Sequence, residues 1–150
     1  MQTLLTTIVT WLSLNFALPG VHDQPRIEFV SPEQMRASLH QAGERGHSAS
    51  LRVGMPDRAP EVEAFYDDAT RTIYLPAGWT GETPAEVSVL VHETVHHIQN
   101  VAGLRYACPE EREKAAYTAQ SAWLALSDRT LADTFGLDPM TVLVRTNCMH

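Results

Sequence analysis

The sequence predicts a single α+β domain that is mostly helical, with a short β-hairpin ahead of its central helix. Three observations lead to this prediction. A chain of 150 residues that is 44% hydrophobic and 19% charged has the size and composition of one globular domain. Apolar residues recur at helical spacing in several segments, and only three short runs are typical of strands. We therefore expect residues 1–150 to form one domain with one core.

The N-terminal segment predicts an amphipathic helix. In "MQTLLTTIVTWLSLNF" the large apolar residues recur at helical spacing, and most of the threonines fall on the other side. A signal peptide is the alternative, but the segment has no basic start and no clear cleavage site. Threonines also interrupt it too often for a span of about 20 apolar residues. We expect a core-facing helix and no stable membrane span, with the cytoplasm preferred to the periplasm or the exterior.

The next segments predict a strand, a helix and a hairpin. The strand is "RIEFV" at residues 26–30, and Ser31 then resembles an N-cap that opens a helix to about Gln41. Residues 43–60 have no periodicity and predict a long surface loop. The run "EAFYDDATRTIYLP" predicts a hairpin whose second strand covers residues 72–75.

Helices dominate the rest of the chain. The residues Thr83-Pro84-Ala85-Glu86 form a capping box, so we expect a helix from Pro84 to about Asn100. Pro109 is expected to begin another helix that runs to about Ser127. Gly136 separates two short helical pieces near the C-terminus.

Charge and cysteine content limit the partners and the compartment. The formal net charge is −7 and Lys114 is the single lysine, so no basic stripe is available to bind nucleic acid. Cys108 and Cys148 are the two cysteines. They form either a disulfide, which requires an oxidising compartment, or two reduced thiols.

The central helix carries the pattern H-E-x-x-H. His92 and His96 are four residues apart, so both imidazoles lie on one side of a helix and can bind one zinc ion. Glu93 follows the first histidine and is a candidate general base for a zinc-bound water. The alternative is a helix whose histidines make ordinary hydrogen bonds. His97 is expected at the surface or behind a ligand.

A third zinc ligand is expected from the following helix. Its candidates are Glu110, Glu111 and Glu113. Glu113 is preferred because it shares a helix face with Tyr117 and Gln120, and Glu110 is the alternative, one turn earlier. The helix dipole also explains acidic residues in a first turn, above all Glu110 and Glu111.

The motif "VLVHETVHHIQN" followed by "CPEEREKAAYTAQ" resembles the glutamate-type zincin arrangement. Through "WLSLNF", "TIYLPAGWTG", "REKAAYTAQ" and "LVRTNC" the chain also resembles, nearly end to end, a small bacterial family described only as a domain of unknown function. The zincin resemblance implies a zincin-like domain with zinc ligands His92, His96 and Glu113 and a general base at Glu93. It implies no particular substrate.

These features predict a zinc-dependent hydrolase, and specifically a metallopeptidase acting on a peptide or protein. A zinc-binding or interaction module without turnover is the alternative. The strand "TIYLP" lies where zincin-like folds place an edge strand that pairs with an extended peptide. Tyr74 and Tyr117 are candidate donors to an oxyanion, although tyrosines at such positions also serve as core residues.

Overall fold

The computed structural model describes residues 1–45 and 64–149 of the chain. Within these residues six helices and three strands are present. In chain order they are α1 (Gln2–Phe16), β1 (Arg26–Val30), α2 (Pro32–Glu44), β2 (Phe65–Asp67), β3 (Thr72–Pro76), α3 (Pro84–Val101), α4 (Pro109–Ala125), α5 (Leu131–Phe135) and α6 (Pro139–Thr146). The predominance of helices beside one small sheet confirms the predicted α+β class.

The three strands form one sheet in the order β1, β3, β2. β1 runs parallel to β3, with Arg26 opposite Thr72 and Val30 opposite Pro76. β2 and β3 form the predicted antiparallel hairpin across the turn at residues 68–71. The expectation that β3 is an edge strand is wrong. β3 is the central strand because β1, which is distant in sequence, pairs with its second side.

α1 turns its apolar side to the core, as predicted. Leu5, Ile8 and Leu12 are at most 2% exposed, whereas Leu14 on the other side is 80% exposed. The helix packs against α3. In the described part of the chain, no helix combines the length and hydropathy that crossing a membrane requires.

The starts of α2 and α3 lie where their capping signals predict. At Ser31 and at Thr83 the side chain accepts a hydrogen bond from the backbone amide three residues on. In return, Gln34 and Glu86 accept from the backbone amides of the two N-cap residues. This reciprocal pairing satisfies amides that have no partner inside the helix.

The ends of the helices were predicted less accurately. α2 continues through Glu44, so the loop expected from Gly43 begins later, and residues 46–60 of that loop lie outside the described residues. A glycine inside a helix costs roughly 1 kcal/mol relative to alanine. Here Ala42 is 1% exposed and packs with Met35, which favours continuation of the helix. α4 ends at Ala125, slightly earlier than expected.

α5 and α6 are the two short helical pieces predicted around Gly136. Gly136 ends α5 with a φ of 67°, a left-handed conformation that glycine adopts without steric cost. Asp138 then caps α6 by accepting from the backbone amide of Thr141.

α3 is the central element of the molecule. It packs against α1, β2 and α4. All residues from 88 to 99 are buried, so the helix is enclosed on every side along that stretch. The three histidines of α3 therefore lie inside the domain, where their polar atoms need partners.

Cys108 and Cys148 form a disulfide, which decides between the two alternatives left by the sequence. Their Cα atoms are 5.9 Å apart. The bond joins the N-cap of α4 to the chain just beyond α6, and it closes a loop with a sequence separation of 40. Such bonds persist in oxidising compartments and are rare in the cytosol, which argues against the cytoplasmic preference.

Reduction of this disulfide is expected to destabilise the fold by about 4 kcal/mol, because the unfolded chain regains the freedom of a 40-residue loop. For a domain of this size the melting temperature should fall by roughly 8–16 °C. Calorimetry with and without reductant measures the change. The double variant Cys108→Ser/Cys148→Ser is the control, since it should melt at the lower value under both conditions. Two titratable thiols in the unreduced protein would contradict the assignment.

Candidate metal centre

Three of the predicted site residues meet between α3 and α4. The Nε2 atoms of His92 and His96 are 3.2 Å apart. One carboxylate oxygen of Glu113, Oε2, lies 3.1 Å from Nε2 of His92, and the other, Oε1, lies 3.3 Å from Nε2 of His96. In a tetrahedral zinc site with ligands at about 2.0–2.1 Å, neighbouring ligand atoms are about 3.3–3.4 Å apart. The three groups therefore have the spacing that one metal ion requires.

Gln120 determines which ring nitrogen of His92 carries a hydrogen. The hydroxyl of Ser88 donates to the carbonyl of Ala85 at 2.8 Å, so its oxygen accepts from Nε2 of Gln120 at 3.4 Å. The amide oxygen of Gln120 therefore faces Nδ1 of His92, at 2.9 Å. Because an amide oxygen only accepts, Nδ1 must donate. In the neutral ring, Nε2 then presents its lone pair to the cluster.

Gln99 orients His96 in the same way. Nε2 of Gln99 donates to the backbone carbonyl of Arg112 at 3.0 Å, which turns its oxygen toward Nδ1 of His96 at 2.9 Å. The same oxygen accepts from Nε of Arg112 at 3.3 Å. Nδ1 of His96 is therefore a donor. Nε2 of the neutral ring is again left as a lone pair, directed at the same point as that of His92.

An ion pair between Arg112 and Asp68 supports this arrangement from the side away from the cluster. Both partners are half-buried: the guanidinium of Arg112 donates to both carboxylate oxygens of Asp68, at 2.7 and 2.6 Å, and also to the backbone carbonyl of His96 at 3.3 Å. Burial alone would lower the pKa of Arg112, but its bonds to Asp68 outweigh that effect and raise the pKa. The turn between β2 and β3 is thereby tied to both helices of the cluster.

The electrostatics of the cluster favour an ionised carboxylate at Glu113. Burial would raise the pKa of this group, but His96 and His92 lower it well below its usual range. For His92, burial alone would lower the pKa of the imidazole, because it too disfavours the charged form. Its hydrogen bond to Glu113, together with the charges of Glu113 and Glu93, raises the pKa instead. A carboxylate that stays ionised is what a metal ligand must be.

Glu113 is the acid of α4 that reaches the cluster. Among the described residues, the one group whose ligand atoms all lie within 4.8 Å of each other consists of His92, His96 and Glu113. Glu110, the alternative ligand, is outside it. Glu111 instead accepts from the backbone amide of Ala107 at 2.6 Å, next to the start of α4.

Glu93 lies deep in the protein beside the cluster. It is 0% exposed. It directly follows His92 on α3, and its charge contributes to raising the pKa of His92 and that of Tyr117. The position suits a group that exchanges a proton with something bound at the cluster.

The two tyrosines singled out in the sequence lie in different environments. The ring of Tyr117 packs edge-on against His92, with centroids 4.7 Å apart, and its hydroxyl accepts from Arg145 at 3.3 Å. Burial raises the pKa of Tyr117, so its hydroxyl stays protonated. Tyr74 stacks on Phe65 at 4.8 Å, in the apolar cluster between the sheet and α2. Tyr117 remains a candidate oxyanion donor, whereas Tyr74 is a half-buried residue that packs against the apolar cluster.

His97 is not at the surface, contrary to the first of its two expected positions. It is 0% exposed, and its Nε2 donates to the carbonyl of Asp23 at 2.6 Å. Its Nδ1 accepts from the hydroxyl of Tyr66 at 3.1 Å, and the oxygen of that hydroxyl accepts from the side-chain amide of Asn100. Burial lowers the pKa of His97, consistent with this neutral, fully bonded ring. His97 thus joins the segment before β1 to β2.

Sequence reasoning missed the residues that orient the ligands. Gln120 was recognised as sharing a face with Glu113, but not as a partner of His92. Gln99 lies three residues after His96, a spacing that allows contact on a helix and was an available signal. Asp68 and Arg112 are 44 residues apart, and no local pattern pairs them.

The chain belongs to a family described as a domain of unknown function, DUF6647, whose model matches residues 1–150. No curated protein and no solved structure matches the chain. The zincin resemblance of the central motif therefore stays a prediction, supported by the residues of the site alone.

Proposed function

We propose that this member of the DUF6647 family is a zinc-dependent hydrolase that cleaves peptide bonds. The observation that carries the proposal is the convergence of two imidazoles and one carboxylate: the two Nε2 atoms are 3.2 Å apart, and each lies 3.1 or 3.3 Å from a different oxygen of Glu113. The glutamate-type zincin resemblance of the motif supports it further. His92, His96 and Glu113 would hold the ion.

The tautomers of the two histidines favour a cation between them. Two Nε2 lone pairs 3.2 Å apart repel each other unless a proton or a metal ion lies between the rings and Glu113. A metal ion satisfies all three groups at once. It also balances the charge of the buried carboxylate of Glu113, which is costly to leave uncompensated.

The ligand set suits zinc. Two imidazoles and one carboxylate are the ligands of many hydrolytic zinc sites, with a fourth position left for water or substrate. When bound, zinc supplies a Lewis acid that polarises a carbonyl and lowers the pKa of water to about 7.

The chain's own side chains supply the proton transfers. Glu93 takes the proton of the attacking water and gives it to the amine that leaves, which returns the carboxylate to its starting state. Tyr117 keeps its proton and can donate a hydrogen bond to the oxyanion that forms at the carbonyl. Gln99 and Gln120 keep the two imidazoles in one orientation throughout.

Burial of the site favours a second candidate, a zinc-binding module without turnover. His92, His96 and Glu93 are 0% exposed, and Glu113 is 6% exposed. A closed site is typical of structural zinc, although such sites usually have four protein ligands. Turnover decides between the two candidates.

The test is cleavage of a mixed peptide library by the protein in three states: loaded with zinc, stripped by a chelator, and reloaded. We expect products from the first and third states and none from the second, with mass spectrometry identifying the cleaved bonds. Circular dichroism of the stripped protein checks that it remains folded. Zinc binding without cleavage in any state would favour the binding module, and cleavage that survives stripping would contradict the proposal.

A further inference from the structure

An apolar groove lies between α4, α5 and α6. Its volume is about 630 Å³, within the range of about 300–1,000 Å³ typical of ligand pockets. Most of its wall is aliphatic, formed by Ala122, Ala125, Leu131, Leu137, Val142 and Leu143. Leu143 is 55% exposed, so the groove continues onto an apolar surface of α6. An apolar group of matching size would gain free energy by entering it.

The groove adjoins the candidate metal centre through Tyr117. Tyr117 is one of the residues that line the groove, and its ring contacts that of His92 at a centroid distance of 4.7 Å. Lys114, which directly follows Glu113, is another lining residue. The groove and the metal cluster therefore share Tyr117 as a neighbour.

The charge at the groove is positive in an acidic protein. Lys114 is the single lysine of a chain with a net charge of −7, and it is the charged residue among those that line the groove. Arg145 adds a second cation at the hydroxyl of Tyr117. Neither side chain belongs to any ion pair formed within the described residues. A carboxylate is the complementary partner.

We propose that the groove binds the C-terminal residue of a peptide substrate, with a large apolar side chain on the aliphatic wall and the free carboxylate paired with Lys114. One C-terminal residue carries both features on adjacent atoms, whereas an internal segment needs an apolar and an acidic residue together. The proposal rests on the proposed hydrolase function, because it places the last residues of the substrate next to the bond that is cleaved.

The experiment measures the binding of three N-acetylated tetrapeptides by calorimetry. One ends in phenylalanine with a free carboxylate, the second is its amide, and the third ends in serine with a free carboxylate. The zinc-loaded Glu93→Gln protein is used so that bound peptide persists. We expect the phenylalanine acid to bind at least tenfold more tightly than either of the others. Equal affinities for all three peptides would overturn the proposal.

Two pairs of variants locate the effect. Lys114→Met should reduce the affinity for the acid to that for the amide, whereas Arg36→Met, at an exposed arginine of α2, should not. Leu143→Asp should abolish the preference for phenylalanine, whereas Leu14→Asp on α1 should keep it. Unchanged binding in Lys114→Met and Leu143→Asp would move the site elsewhere and overturn the proposal.

The experiments distinguish a wrong assignment of the groove from a wrong proposed function. Zinc-dependent cleavage that is indifferent to the C-terminal residue and to its amidation overturns the groove assignment and leaves the hydrolase standing. If the protein binds the phenylalanine acid selectively and through Lys114, but holds no zinc and cleaves no peptide, the groove assignment is supported and the hydrolase proposal is contradicted.

Discussion

Replacing Glu113 with alanine is expected to weaken zinc binding by more than about 100-fold, because loss of a residue behind a ligand already costs about 10–100-fold. Glu110→Ala should leave the affinity nearly unchanged, since Glu110 lies outside the cluster. The two variants remove the same type of side chain, a glutamate, from positions one helical turn apart on α4. Competition with a chromophoric chelator measures both affinities, and elemental analysis is expected to give about one zinc per wild-type chain.

Two further substitutions make this series stricter. His92→Ala should behave like Glu113→Ala, whereas Gln120→Ala should lose only about 10–100-fold, because it removes the acceptor behind His92 and keeps all three ligands. If Glu113→Ala and Glu110→Ala lose zinc affinity equally, the negative charge of α4 as a whole binds the ion, and Glu113 is not a specific ligand. A wild-type protein that takes up no divalent metal would instead mean that protons hold the cluster together.

Zinc should also stabilise the folded protein, because the ligands converge only in the native state. A ligand present at 100 times its dissociation constant adds about 2.7 kcal/mol to the free energy of unfolding. The wild-type melting temperature should therefore rise with added zinc, and that of Glu113→Ala should rise far less at the same concentration.

Local signals in the sequence were sufficient to predict where the main helices begin. A capping box needs only four consecutive residues, and the one predicted at Thr83 makes its expected hydrogen bonds; Ser31, predicted as an N-cap, forms a second capping box with Gln34. Helix ends depend more on packing, as the burial of Ala42 illustrates. The order of strands is a long-range property. Nothing within "TIYLP" indicates that β1 pairs with β3, so the strand was mistaken for an edge.

The candidate metal ligands were accessible to sequence reasoning for a related reason. His92 and His96 share a helix face by spacing alone, and Glu113 shares a face with Tyr117 and Gln120 on the next helix. Which face of α4 meets α3 is decided by tertiary packing. The choice of Glu113 over Glu110 was therefore a judgement about packing, and the structure brings Glu113 to the histidines.

His97 marks the limit of that reasoning. A polar residue that points away from the candidate ligands is expected to be exposed only if the helix has a solvent-facing side. Residues 88–99 are all buried, so α3 has no such side along that stretch. The buried ring is accommodated because Asp23 and Tyr66, both far away in sequence, supply an acceptor and a hydroxyl. Satisfaction of a buried polar group by distant partners cannot be read from a local pattern.

Glu93→Gln is expected to lower the rate of peptide cleavage by about 10²–10⁴-fold, the usual contribution of a positioned general base. The substitution keeps the size of the side chain at a position that is 0% exposed, so packing around α3 should be preserved. It removes a buried charge and the group that accepts the proton. Zinc affinity should stay near wild type, because Glu93 is not one of the clustered ligands.

The measurement is the initial rate on a peptide found in the library test, with zinc content and melting temperature determined on the same samples. Gln99→Ala is the comparison variant, because it disturbs His96 and should lower zinc affinity together with activity. Loss of activity with zinc retained therefore distinguishes a base from a residue that positions a ligand. If Glu93→Gln cleaves as fast as wild type, Glu93 is not the base. If it loses zinc as Glu113→Ala does, Glu93 is a ligand, and the closed zinc-binding module becomes the better description of the site.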